Sequence, residues 1–259
     1  MRFYEWISLA FYAAFGALAW VHHWPGRLPG RRQAVITGLG VAGISAILIL
    51  RFTAIRDWLP LGFIPLAYWQ TGEFVLPINQ SFQSKLEAFD RKYLPAAVPT
   101  VSPLLPLFEL AYLFCYPLVP LGLVALYLSG VGRFAEEFWN VVLPPAYVCY
   151  ATFPFVQTLP PRTIERDVPW QPPSTPLRKV NLLVLRHISI QANTFPSGHV
   201  AASLAVALEL LAHTTAAGMI FLVLALFIAA GAFFGRYHYG IDVLLGALLA
   251  VISFSASVM

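Results

Sequence analysis

The sequence predicts an all-α protein, a polytopic bundle of about eight transmembrane helices with one or two amphipathic helices on the membrane surface. Two observations carry that prediction. Of 259 residues, 59% are hydrophobic and 11% charged, whereas an ordinary soluble domain carries roughly 25% charged residues. The apolar residues also come in long blocks instead of amphipathic stripes, and about 20 such residues cross a bilayer. The net charge of +4 resides in loops. It implies no nucleic-acid partner and suits anionic lipid headgroups.

The apolar segments run 3–22, 33–50, 58–76, 104–128, 136–158, 198–216, 218–235 and 240–258. The first begins almost at Met1, without a strongly basic start or an Ala-x-Ala site, so it is expected to be the first span. Pro60, Pro65, Gly72 and Pro77 interrupt the third, which predicts a broken or re-entrant segment. The short hinge from His213 to Gly218 predicts that the sixth and seventh segments form an antiparallel pair. Cys115 and Cys149 fall inside apolar segments and are expected as buried thiols, not as a disulfide or a metal site.

Two hydrophilic stretches stand apart. Residues 79–95 place Phe82, Leu86 and Phe89 at helical spacing among charges, the pattern of an interfacial helix. The long loop 159–194 opens with Pro160-Pro161-Arg162, and its Leu177–Ile190 part predicts a second surface helix. Counting crossings puts this loop, the turn before His199 and the turn at His238 on one membrane face. Three distant regions are therefore expected to meet there.

Those regions carry chemistry. Pro196-Ser197-Gly198-His199 starts an apolar helix: Ser197 fits an N-cap, Gly198 lets an anion approach the backbone, and His199 falls in the first turn. Its bland reading is a capped helix with an interfacial histidine. Arg236-Tyr237-His238-Tyr239-Gly240-Ile241-Asp242 sets His238 and Asp242 four apart, on one face if both are helical. Asp242 then orients the imidazole, and Arg236 neutralises phosphoryl oxygens. An aromatic belt with a snorkelling arginine is the bland reading of this string, and Asp242 fits it poorly. A metal at these histidines ranks below phosphate chemistry, because one carboxylate only is near.

At these residues the chain resembles the type 2 phosphatidic acid phosphatase superfamily, which includes vanadium-dependent haloperoxidases. Pro196–His199 matches its second block, and His238 to Asp242 has the spacing of its third. Pro160-Pro161-Arg162, the Arg-x-His-Tyr string from Arg236 to Tyr239, the stretch Leu86 to Asp90 and Leu110-Ala111-Tyr112 resemble the aureobasidin-resistance, or inositol phosphorylceramide synthase-like, branch. Two departures stand out. Phe155 occupies the place of the usual first-block lysine, and Ala232 that of the usual third-block arginine. Arg236 is a replacement for the second cation; Arg166, Arg178, Lys179 and Arg186 are the candidates for the first.

The resemblance implies an enzyme that forms a phosphohistidine on His238, oriented by Asp242, with His199 as general acid. It implies phosphate binding by Arg162, Arg236, Ser197 and Gly198, with no metal or organic cofactor. It also implies a catalytic core over 58–259 behind an N-terminal transmembrane hairpin over 1–57. The expected substrate is a membrane lipid phosphate, such as phosphatidic acid, phosphatidylglycerophosphate or a polyprenyl phosphate. Hydrolysis is placed slightly ahead of headgroup transfer to an alcohol or lipid acceptor, since Gly198 stands where the synthase-like branch commonly has Leu. A transporter or channel would carry charges near the midplane of several spans, and Glu209 is the main such residue in the last three. A purely structural membrane protein would lose no chemistry with His238. Relatives imply a bacterial plasma membrane and an extracytoplasmic active face. The loop arginines, including those at 27, 31 and 32, imply the cytoplasmic face instead.

Overall fold

The computed structural model describes residues 1–21, 28–75, 77–165 and 167–257, so Arg27 and Arg166 lie outside the described residues. Among them the regular structure is helical apart from one isolated antiparallel bridge, Thr158 to Asn193. The predicted all-α bundle is present, and each of the eight apolar segments carries helix.

Helices α1 (Phe3–Val21) and α2 (Gly30–Leu50) pack along one another. A Cβ at Gly43 would sit 2.6 Å from the Tyr12 ring, so only glycine permits that approach. Polar ties dock this pair onto the rest. Arg56 grips the buried Glu5 carboxylate at 2.7 and 2.8 Å, Ser8 meets the Tyr147 hydroxyl at 2.7 Å, and Tyr12 donates to the Phe63 carbonyl at 2.9 Å.

The third segment is α3 (Pro60–Gly72), which starts on a proline and contains Pro65. Its 13 residues rise only about 20 Å, in keeping with the expected interruption. The hydrophilic stretch forms α4 (Gln80–Val101). The segment expected as one span over 104–128 is instead broken into α5 (Leu105–Leu113) and α6 (Leu118–Leu128), bent by 74°. Pro117 causes the break: it lacks an N–H and disfavours helical backbone at Tyr116.

The remaining helices are α7 (Ala135–Ala151), the single turn α8 (Pro161–Ile164), α9 (Pro176–Ile188), α10 (Gly198–His213), α11 (Thr215–Phe234) and α12 (Gly240–Ser257). By length and composition α1, α2, α11 and α12 are each long and apolar enough to cross a membrane, and the bent α5–α6 pair makes a fifth if it is one broken span. The other apolar segments of the expected eight form shorter helices. Proline and loop residues shorten α3, α7 and α10 to 13, 17 and 16 residues. Exposed Trp6, Trp20, Ile49, Leu128, Ile220 and Leu244 present apolar surface outward, as a bilayer-facing exterior requires.

Helix α10 forms the centre, packed by α7, α11 and α12. Its buried Ala201, Ala202, Ala205 and Ala207 let neighbours come close. Thr215 follows almost directly on His213, and a Cβ on Gly218 would lie 2.3 Å from the Leu211 backbone, so α11 doubles back tightly on α10. At the other end of α10, a Cβ on Gly246 of α12 would lie 2.6 Å from the Ser197 carbonyl oxygen. That close approach sets the start of α10 against the start of α12. Cys115 and Cys149 are free and buried, as expected.

Candidate active site

The three predicted regions meet where α10 begins, α11 ends and α12 begins. The Arg162 N–H donates to the Arg236 carbonyl at 2.9 Å, and the Ser197 N–H donates to the Asp242 carbonyl at 3.0 Å. The rings of His199 and His238 are 5.8 Å apart at 63°.

His238 and Asp242 do not share a helix face as expected, because α12 starts only at Gly240. They meet because Asp242, in the first turn, reaches back. Its Oδ2 accepts from the Tyr239 N–H at 3.1 Å and lies 3.4 Å from His238 Nδ1. Asn193 Nδ2 donates to the same oxygen at 2.7 Å. An ionised carboxylate only accepts, so Nδ1 of His238 carries the proton and Nε2 presents its lone pair. Asn193 is a member that sequence reasoning missed. It is positioned by the Thr158 bridge, with N–H to carbonyl at 2.9 Å, and nothing in the chain near Asn193 announces it.

His238 is 4% exposed. Burial, and then the Arg162 guanidinium, push its pKa down to about 3, so the ring is neutral and competent as a nucleophile. The sign of the linked stability follows. The unfolded imidazole titrates near 6.5, so between about pH 3 and pH 6.5 the unfolded chain binds more protons. Stability therefore rises with pH across that window and is lost as pH falls. The midpoint of thermal unfolding in detergent should fall on acidification below about pH 6.5. His238→Gln should show a shallower fall; an unchanged slope would contradict a buried neutral imidazole.

His199 sits in the first turn of α10, flanked edge-on by Tyr112 at 5.7 Å and Tyr116 at 5.6 Å. Its Nδ1 is buried without a hydrogen-bond partner. Ser197 caps the helix as expected, its Oγ accepting from the Val200 N–H at 3.5 Å. The N–H groups of Gly198 and His199 lie in the turn that lacks intrahelical acceptors, a fitting cradle for an anion.

The two arginines differ in kind. Arg162 is half-buried, donates to the Tyr237 carbonyl at 3.3 Å, and forms no ion pair with a carboxylate among the described residues. Arg236 is 1% exposed and its guanidinium is already taken. Glu165 holds it at 2.8 and 2.7 Å, and Asp90 Oδ2 lies at 2.8 Å. Burial opposes its charge, but these two carboxylates outweigh burial and keep its pKa raised. Asp90 also accepts from the Gly240 N–H at 2.9 Å, and burial raises its pKa although Arg236 pulls the other way. Arg236 thus ties α4 and the 165 loop to the turn that carries His238. Where the sequence places a phosphate-binding cation, the guanidinium is engaged by two carboxylates.

The conformation of that turn depends on the same residue. Arg236 has φ 60°, and the N–H groups of Tyr237 and His238 both donate to the Ala232 carbonyl, at 3.0 and 2.9 Å. This is the left-handed ending of a helix that glycine usually supplies. Here the carboxylate clamp holds a non-glycine residue in it.

Of the cations proposed to replace the missing lysine, Arg178 is also committed. It donates to Glu109 at 2.8 Å and to the Gly235 carbonyl at 2.8 Å. Asn181 and the Tyr237 hydroxyl donate to the other Glu109 oxygen, at 2.6 and 2.5 Å, and Tyr237 stacks on Tyr112 at 4.0 Å. Lys179 and Arg186 are exposed on the opposite face of α9, and Phe155 is exposed.

Next to His199 opens a cavity of about 260 Å³. Its wall is mainly apolar, with Ile64, Trp69, Val119, Leu185 and Ala202, and it includes Tyr116 and His199. The Tyr116 hydroxyl, like His199 Nδ1, is buried without a partner.

The family model of the PAP2 superfamily matches residues 141–258, a little under half of the chain, and that stretch holds Arg162, Ser197, His199, His238 and Asp242. Members of that superfamily are phosphatases and phosphotransferases acting on phosphate esters. No curated protein and no solved structure matches the chain.

Proposed function

We propose that the protein is a membrane phosphatase that cleaves a lipid phosphate ester through a phosphohistidine on His238. The observation that carries this reading is the meeting of His238, His199, Asp242 and Arg162 at one end of the bundle, beside an apolar cavity that reaches His199. In this reading residues 58–259 are the catalytic core and 1–57 a docked hairpin.

The reaction has two steps. His238 Nε2 attacks phosphorus, the bond to the lipid oxygen breaks, and His199, which takes up a proton from solvent as the phosphate anion binds beside it, gives that proton to the oxygen. Water then attacks the phosphohistidine, His199 takes a proton from it, and phosphate leaves with His238 restored. Asp242 keeps His238 in the attacking tautomer throughout. Arg162 and the N–H groups at the start of α10 neutralise the phosphoryl oxygens in both transition states. These steps use only groups of the chain and water.

The cavity supports a lipid as the leaving group, since an apolar wall stabilises a chain and repels a small polar ester. Ala202→Phe should fill it. Release of phosphate from a lipid phosphate should then drop about tenfold or more, while p-nitrophenyl phosphate is cleaved within about twofold of wild type. Equal losses on both substrates would sink the lipid reading.

One observation favours a second reading, transfer of a phospho-headgroup to an alcohol. The residues that resemble the synthase-like branch, Asp90, Arg162 and Arg236, are joined directly to one another. A panel of lipid phosphates assayed with and without an alcohol acceptor separates the two. Free phosphate as the sole product supports hydrolysis, and a new phosphodiester without free phosphate supports transfer.

A further inference from the structure

The far end of α10 carries a second cluster that the reaction does not use. His199 and His213 are at opposite ends of this helix, about 21 Å apart by its rise. His213 Nε2 lies 2.8 Å from Glu209 Oε1 and 3.6 Å from Glu137 Oε2, and the three donor atoms lie within 4.8 Å of one another. Glu137 comes from the first turn of α7, so the cluster bridges two helices. The Phe134 ring stacks on the imidazole at 3.9 Å and 16°, which fixes its plane.

The charges here are unbalanced. The neighbouring Glu136 is paired with Arg2 at 3.1 Å, but among the described residues neither Glu137 nor Glu209 meets a lysine or arginine. Glu209 is 2% exposed, so one carboxylate is buried. Glu209 buries one negative charge and Glu137 adds a second at the surface, and burying a charge without compensation is costly. A divalent cation cancels both at once. One imidazole nitrogen and two carboxylate oxygens form a donor set for a first-row divalent ion, Zn²⁺ above all. The side chain of Glu137 is 58% exposed, so a fourth position opens to solvent.

We propose that Glu137, Glu209 and His213 bind a Zn²⁺-class divalent cation that fastens the start of α7 to the end of α10, on the face opposite the two catalytic histidines. The site is independent of the phosphatase reading. It is tested on the full chain in detergent, stripped with chelator and free of any affinity tag, by calorimetric titration with ZnCl₂ and by thermal unfolding with and without the metal. Wild type should take up one equivalent at this site and unfold at a higher temperature with Zn²⁺. His213→Ala and Glu209→Gln should lose that equivalent. Glu137→Gln, at an exposed position where folding is secure, should weaken it about tenfold or more and leave lipid-phosphate turnover unchanged. If wild type binds no more tightly than Glu137→Gln, or gains no thermal stability, the proposal fails, and the cluster is a hydrogen-bonded contact between α7 and α10 that takes no metal.

Discussion

His238→Ala should abolish turnover of any phosphate ester, with kcat down at least about 10⁴-fold, the scale seen when a nucleophile is deleted. Substrate binding should survive, because Arg162 and the start of α10 remain. His199→Asn should differ in kind. It keeps the nucleophile and loses the proton donor, so cleavage of a lipid phosphate falls steeply. An ester whose leaving group needs no proton, such as p-nitrophenyl phosphate, suffers less at the first step. Asp242→Asn should sit between them, since it leaves Nδ1 of His238 without the carboxylate that selects the attacking tautomer. Rate measurements on both esters distinguish the three variants. A His238→Ala enzyme with appreciable turnover would assign the nucleophile elsewhere.

Arg236→Ala should be the most damaging substitution for stability. It removes a guanidinium that is 1% exposed and leaves Asp90 and Glu165 facing one another without their shared cation. Breaking a buried pair from one side costs about 3 kcal/mol or more, and for a chain of this size that lowers the unfolding midpoint by roughly 10 °C. Arg236→Lys should recover part of it, as an ammonium keeps the charge but not the two-pronged grip on Glu165. The informative readout is inhibition by inorganic phosphate at a temperature where the variant is folded. If Arg236 clamps the fold, the inhibition constant of Arg236→Lys stays within about threefold of wild type. A rise of tenfold or more would restore the role expected from sequence, that of a phosphate ligand. Arg162→Lys should show the converse, a near-normal unfolding midpoint with weak phosphate inhibition.

These two arginines show what sequence reasoning reaches. Arg236 stands in the second histidine motif and Arg162 in the loop that leads to the first, and their charge is legible. Whether a charge is open to substrate depends on what neutralises it, and the partners of Arg236 lie far away in sequence, at Glu165 and at Asp90. The same distance hides Glu109, whose neutralising partner Arg178 comes from α9, and Asn193, whose target Asp242 is 49 residues on. Helices were legible where apolar runs are unbroken, as in α1, α2, α11 and α12. The break at Phe114–Pro117 was not, because Pro117 lies in a long run whose one charge is Glu109, and prolines are tolerated in membrane helices. The four-residue spacing of His238 and Asp242 points to their contact but not to its local cause. The contact is a carboxylate reaching back from the first turn of α12, not two rungs of one helix. Glu209 was visible as an odd charge in an apolar helix, yet its company, Glu137 and Phe134, comes from another element.

The central claim is that His238 carries the phosphoryl group. The direct measurement mixes enzyme with a lipid phosphate, quenches within the first turnovers at alkaline pH, where a phosphohistidine persists, and locates the phosphoryl group by peptide mass spectrometry. The account predicts one phosphoryl group on the peptide that contains His238, more abundant in His199→Asn when the ester has a good leaving group, and absent in His238→Ala. A phosphoryl group on Ser197 or His199, or an active enzyme that never carries one, would contradict it.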